Sequence, residues 1–315
     1  MKHWLLPKNG KFYKANMHCH STLSDGEFTV EKLKEEYQKK GYSIIAFTDH
    51  EKFYTHNDLS DENFLAINSY EVDISNWDTD DSNFVRCYHF NCYALSNGDN
   101  NVILPKPDYK DTASINRFIK KLNESNYIVC YNHPYWSLQT LDDYRELEGL
   151  FASEIYNYSA YIGDGIDGNQ TQVYDTLLRL GKRISCIASD DNHDKNPIGH
   201  PQNDSFGGFI MVKAESLDYD TIMKAIQKGE FYASAGPAIE ELYVEDNIAK
   251  IKCSPAVRIT INTAGRRAGV VNAPEGETII AAEFNIDPRD RYIRFEVMDE
   301  RGRRANTKAY FLDEL

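Results

Sequence analysis

The sequence predicts an α/β chain that ends in a small all-β part. Three observations carry this. Short apolar, β-prone runs alternate with amphipathic helical stretches from Lys11 to about Pro237, the order that βαβ units produce. Each of those runs carries a residue of metal-ligand type at or near its C-terminal end, where α/β barrels build their active sites. After Gly236-Pro237 helical periodicity stops and only strand-like runs follow. At 315 residues, 41% of them apolar, the chain can form one large domain or two.

The elements follow in order. His18-Cys19-His20 reads as the end of a strand, where side chains two apart share one side and can reach one metal ion. Asp25, in Ser24-Asp25-Gly26, adds a hard anionic donor. A helix follows Thr29, with Glu31 in its first turn, Lys39-Lys40 in its last, and Val30, Leu33 and Tyr37 as its buried stripe; Gly41 stands where a closing glycine belongs. The apolar run Ser43 to Phe47 leads into Thr48-Asp49-His50, and Leu65 to Tyr70 ends in Glu71. Cys87 to Tyr93 is an aromatic strand with His89 inside it. A second helix spans about Thr112 to Asn123, with Ile115, Phe118, Ile119 and Leu122 on one face. Tyr127 to Tyr131 runs into Asn132-His133-Pro134. Helical stretches at 173–180 and 220–227 are closed by Gly181 and Gly229. Between them Arg183 to Ala188 ends in Ser189-Asp190-Asp191-Asn192-His193, where either aspartate can be the ligand. The tail holds β-rich runs near 249–253, 257–262, 278–284, 292–298 and 309–312, with a turn at Glu300 to Arg303. The expected division is 1–237 and 238–315, the second a small β-sandwich without histidine and suited to packing or docking rather than chemistry.

In that order the segments MHCH, SDG, GYSIIAFTDH, NSYEVD, YNHP and SDDNH resemble the PHP (polymerase and histidinol phosphatase) superfamily of metal-dependent hydrolases over residues 11 to about 237. Five of the nine histidines fall in these motifs. The resemblance implies a distorted barrel of about seven βα units with two or three divalent ions at its mouth. It implies His18, His20, Asp25, His50, Glu71, His89, His133, Asp191 and His193 as ligands, the D-x-H spacing favouring Asp191 over Asp190. It also places Glu154 at the mouth, behind the ligands or in proton transfer. Imidazole with carboxylate suits Mn, Fe or Zn.

Such a cluster predicts hydrolysis by a metal-activated hydroxide, with no serine or cysteine nucleophile. The expected substrate is a small anionic phosphate ester. The alternatives are an amide, carbamate or ester, as in PHP-like proteins with a C-terminal β domain, or a non-catalytic metal-binding module. His200 is the candidate proton donor to a leaving group. Tyr135 and Trp136 are candidate walls for a flat substrate, and Lys52 and Lys195 are the candidate cations. Of the five arginines before residue 238, Arg86 and Arg183 are expected at the wrong strand ends and Arg117 and Arg179 on outer helices, with Arg145 unplaced, leaving no evident phosphate clamp.

A net charge of −14 argues against a nucleic-acid polymer as main partner, while the metal charge sets what the pocket attracts. No apolar run is long enough to span a membrane, and no signal-peptide pattern is visible. Six scattered cysteines without C-x-x-C spacing predict buried free thiols in a reducing, cytoplasmic setting. Gly163 to Gly168 fits a dinucleotide fingerprint but lacks its strand context, and Asp78 to Asn83 lacks the glycine and bidentate glutamate of a calcium loop. Both are expected as surface loops.

Overall fold

The structure, a computed structural model, describes residues 2–98, 101–102 and 104–315. Among the described residues its first part contains ten strands: β1 (His3–Trp4), β2 (Lys11–Asn16), β3 (Ile44–Phe47), β4 (Leu65–Asn76), β5 (Arg86–Ala94), β6 (Tyr127–Tyr131), β7 (Ala152–Asn157), β8 (Ser185–Ser189), β9 (Phe209–Ala214) and β10 (Phe231–Ser234). Its helices are α1 (Val30–Lys39), α2 (Thr112–Glu124), α3 (Leu141–Tyr144), α4 (Tyr158–Ile162), α5 (Thr171–Arg179) and α6 (Tyr219–Lys228). The tail adds β11 (Ile239–Glu245), β12 (Ile248–Ala256), β13 (Arg258–Thr263), β14 (Gly269–Asn272), β15 (Ile279–Asn285), β16 (Tyr292–Met298), β17 (Arg304–Thr307) and β18 (Tyr310–Phe311).

The four long helices sit where the apolar stripes and closing glycines place them. Thr29 accepts from Lys32 N at the start of α1, and Leu33 and Tyr37 are buried. Ile115, Phe118, Ile119 and Leu122 form the buried face of α2. Gly41, Gly181 and Gly229 all hold the positive φ that ends a helix without a Cβ clash.

The strand order differs from a regular seven-unit parallel barrel. One large sheet runs β14-β13-β16-β17-β10-β9-β2-β3-β4-β5-β6-β7-β8, with β18 on β16. Pairing is parallel for β2-β3-β4 and β6-β7-β8, but β4-β5, β5-β6, β2-β9 and β9-β10 are antiparallel. The β4-β5 connection is a short loop with no α-helix, which forces the antiparallel pair. The sheet curls until β8 lies against β9 and β10, yet no ladder closes it among the described residues. The join is one isolated parallel bridge between Cys19 and Asn192.

The tail strands form two facing layers. A four-stranded sheet, β1-β11-β12-β15, covers the β14-β13-β16-β17 end of the large sheet. The core between them includes Leu242, Ile251, Ile259, Phe295 and Val297. The chain crosses the expected 237/238 division twice: β1 pairs with β11, and β10 pairs with β17. Leu5 and Leu6 belong to the tail's core. Strands β11, β14 and β17 lie outside the runs expected from sequence, and the Glu300–Arg303 turn joins β16 to β17.

Candidate metal centre

The extended residues after β2 put His18 and His20 on one side and Cys19 on the other, in a core with Leu33, Tyr37 and Phe47. Two backbone bonds lock this segment to the one after β8: Asp191 N donates to His18 O at 2.9 Å and His20 N to Asn192 O at 3.1 Å. Gly26 allows the turn that carries Asp25, since a Cβ there would lie 2.4 Å from His20 O. His50 leaves β3 and bridges to Glu71, which lies within β4 rather than at its end. The antiparallel β5 brings His89 opposite Asp73. His133 and Asp191 hold left-handed backbone angles, φ 23° and 55°. Such strain persists only where surrounding contacts enforce it.

All nine expected ligands converge. His20, Asp25, His50 and His193 have donor atoms within 4.8 Å of one another; so do His18, His133 and Asp191, then His18, His20 and Glu71, then Glu71, His89 and His133. Two carboxylates tie these groups together. Glu71 Oε1 lies 3.2 Å from both His18 Nε2 and His89 Nδ1, while its Oε2 lies 3.1 Å from His50 Nδ1. Asp191 Oδ1 is 3.1 Å from both His18 Nε2 and His20 Nε2, and Oδ2 faces His133 at 3.7 Å. Asp25 spans His193 at 3.4 Å and His50 at 3.7 Å.

The electrostatics point to a cation. Burial disfavours charge on His193, but Asp25 and Asp191 outweigh it and raise its pKa to about 9. His18 is raised well above normal against the same burial, by Asp191, Glu71 and Glu154. Burial alone would raise Glu71, yet His18, His89 and His133 hold it far below the carboxylate range. His20 goes the other way, to about 4, through burial and the neighbouring His193. The carboxylates thus create a negative potential that protons or metal ions must balance. His18 Nε2, His20 Nδ1 and Glu71 Oε2 are buried without a hydrogen-bond partner, which is costly for a polar atom unless it ligates an ion. The donor set fits divalent transition metals.

The supporting shell shows what the sequence hid. Glu154 is buried and accepts from His18 Nδ1 at 2.8 Å, His133 N at 2.9 Å and Asn157 Nδ2 at 3.1 Å, as well as from Ser189 Oγ. Its contact with His18 Nδ1 has the arrangement of a carboxylate–histidine–metal triad. Asn132 Nδ2 donates to Glu71 at 2.8 Å and Asn157 Nδ2 to Asp191 at 3.0 Å. These asparagines were not among the expected site residues; their only signal was adjacency to the ligand segments. Asp190 faces away from the cluster. It accepts from the amides of Phe206, Gly207 and Gly208 and from Tyr37 OH, while burial pushes its pKa up to about 7.

The cluster floors a cavity of about 360 Å³, whose wall includes Trp136, Asp164, Lys195 and Asp204. Trp136 packs edge-on to His133 at 5.0 Å, and its Nε1 donates to Asp164 at 2.8 Å. Gly163, expected in a plain surface loop, also lines the cavity. Three candidates do not. His200 lies exposed in a turn where its Nδ1 accepts from Gln202 N, because that turn folds its ring back on its own backbone. Lys52 reaches Leu23 O at 3.4 Å instead. Tyr135 is 58% exposed and lies outside the cavity wall. Arg86 starts the antiparallel β5 and therefore stands at the metal end, not the opposite one. It is held there by Asp143 at 3.3 Å, outside the cavity wall. All six cysteines are buried and free, and no helix among the described residues is long and apolar enough to cross a membrane.

Fold and site together define an α/β protein with clustered His, Asp and Glu residues that could hold metal ions. Residues 16–152 match the PHP domain. Its fold is similar to that of a two-domain protein from Bacteroides vulgatus containing a predicted PHP-like metal-dependent phosphoesterase. That match has 16% identity and a TM-score of 0.50, covering 98% of this chain and 97% of that one. A second structure, from Bifidobacterium adolescentis and proposed to be a metal-dependent phosphoesterase, is 14% identical. Its TM-score is 0.38, covering 64% of this chain and 94% of that one. The DNA polymerase/3'-5' exonuclease PolX of Bacillus subtilis is 45% identical over 40 residues, a match spanning 13% of this chain and 7% of that protein.

Proposed function

We propose that the protein is a metal-dependent phosphoesterase acting on a small-molecule phosphate ester. The observation that carries this is the doubly bridged ligand set. Glu71 and Asp191 each direct two oxygens at different histidines, below an open cavity. Two or three Mn, Fe or Zn ions held there would supply a water of lowered pKa and Lewis acidity toward phosphate oxygens.

The protein's own residues do the rest. Glu154 fixes the His18 tautomer so that Nε2 faces inward. Asn132 and Asn157 hold the bridging carboxylates in register. Trp136 offers an aromatic wall beside the cluster, and Lys195 is the one lysine in the cavity wall, which contains no arginine among the described residues. A cavity of about 360 Å³ lies at the small end of the range for small-molecule sites and suits a nucleoside monophosphate or a similar flat phosphoester.

The test is a hydrolysis screen with matched phosphoester and amide substrates on protein of measured metal content. Phosphate release that requires metal and is inhibited competitively by inorganic phosphate is expected. Turnover of an aryl carbamate or amide, with no phosphate released from a broad monoester and diester panel, overturns it in favour of the amidase reading.

A further inference from the structure

The arginines missing from the metal cavity gather elsewhere. A cavity of about 640 Å³ opens where the end of α5 and the entry to β8 meet residues 288–292 and 311–313. Arg179, Arg183 and Arg291 line it, with an apolar floor that includes Leu178, Tyr292 and Phe311. Arg183 precedes β8 while Asp191 follows it. Eight residues at about 3.3 Å each put this cavity on the order of 20 Å from the metal centre, at the opposite strand ends.

Its charges are treated unlike structural ones. The buried Arg294 nearby is fully matched, its Nε and Nη2 on the two oxygens of Asp175 at 2.7 and 2.9 Å. Arg183 is matched too, by Asp313 at 2.5 Å and by Glu314, and its guanidinium covers the Phe311 ring. Arg179 and Arg291 have no carboxylate within ion-pair distance among the described residues. Arg291 also holds φ at 63°, where a glycine would be easier. The ring of Tyr292 is 1% exposed, and its hydroxyl is buried without a hydrogen-bond partner. A buried hydroxyl without a partner is costly unless something binds it, and the same cavity lining holds Arg179 and Arg291.

We propose that this cavity is a second binding site, independent of the metal centre, for a small organic anion with a flat apolar body. Arg179 and Arg291 take its carboxylate, sulfonate or phosphate group, Tyr292 donates to it, and Leu178 and Phe311 pack the body. The charge-assisted contacts set the affinity, and the exposed guanidinium groups make it sensitive to salt.

Anilinonaphthalene sulfonate, a flat aromatic body with one anionic group, is the probe, titrated by fluorescence and calorimetry into the full chain. Saturable one-to-one binding that weakens with salt is expected. The double variant Arg179→Ala/Arg291→Ala should lose at least about tenfold in affinity, and Tyr292→Phe about threefold. Both arginines are exposed, so circular dichroism should be unchanged; Arg179→Glu alone, also surface-neutral for folding, should weaken binding as strongly. Asp191→Asn, at the metal centre, should leave the affinity intact. Competition by adenosine monophosphate against octanoate then separates phosphate from carboxylate ligands. Unchanged affinity in both arginine variants overturns the proposal, as does loss of binding in Asp191→Asn.

Discussion

The two cavities of this protein solve the same electrostatic problem in opposite ways. At the metal end, carboxylates and histidines lie within 3.1–3.7 Å of one another, with no arginine in the wall among the described residues. At the opposite end, three arginines line an apolar floor without a histidine. The first is a negative site that must recruit cations before it can attract an anion. The second is positive as built. A site of the first kind depends on mobile charge and on exact ligand geometry. A site of the second depends on screened surface guanidinium groups and tolerates movement. The chain's overall acidity therefore says little about either, because each is governed by charge within a few ångströms.

The comparison can be broken most severely at the bridge. Glu71→Ala should lose bound metal by elemental analysis and lower phosphate release about a thousandfold or more, several kcal/mol of transition-state stabilisation. Full activity in this variant would remove Glu71 from the centre. At the seam beneath the second cavity, Arg294→Ala strips the partner from Asp175 and should cost roughly 3 kcal/mol in urea unfolding, with metal content unchanged. Loss of metal there would mean that the two ends are coupled.

Smaller changes sharpen the contrast. Glu154→Gln keeps the volume but puts an amide where four donors converge, so metal affinity should fall about 10–100-fold while the fold holds. An unaltered metal titration would reduce Glu154 to a packing residue. Lys195→Ala, at the exposed rim, should raise KM about two- to fivefold with kcat unchanged, the worth of a screened charge. Lys52→Ala and Tyr135→Phe, which face away from the cavity, should change neither KM nor kcat measurably. A larger effect from Lys52 would show that its contact with Leu23 O gives way to substrate.

The nine converging His, Asp and Glu residues were legible in the chain because each stands at a fixed spacing on or just after a short apolar run. Local chemistry limits such residues: His18 and His20 share a side in any extended backbone, and Gly26 is required wherever the turn closes on His20. The long helices were legible for the same reason, through a stripe, a cap and a closing glycine. The direction of β5 was not, since a strand's own pattern is identical whether its neighbours run with or against it. That one reversal moved Arg86 to the metal end, and the continuation of β4 put Glu71 in mid-strand.

Sequence by itself therefore determined the ligand types, the α/β alternation and the change to a β-rich tail, because these depend on residues a few positions apart. Tertiary structure alone decided which carboxylates face several histidines, that Glu154 pairs with His18, and that His200, Lys52 and Tyr135 turn away. It also decided that β1 closes onto the tail's sheet and that Arg179, Arg183 and Arg291 share a cavity. Those outcomes depend on contacts between residues as many as about a hundred or more positions apart, such as His18 with Glu154 or Arg183 with Asp313. No local pattern encodes them, and only the packed chain brings the partners within reach.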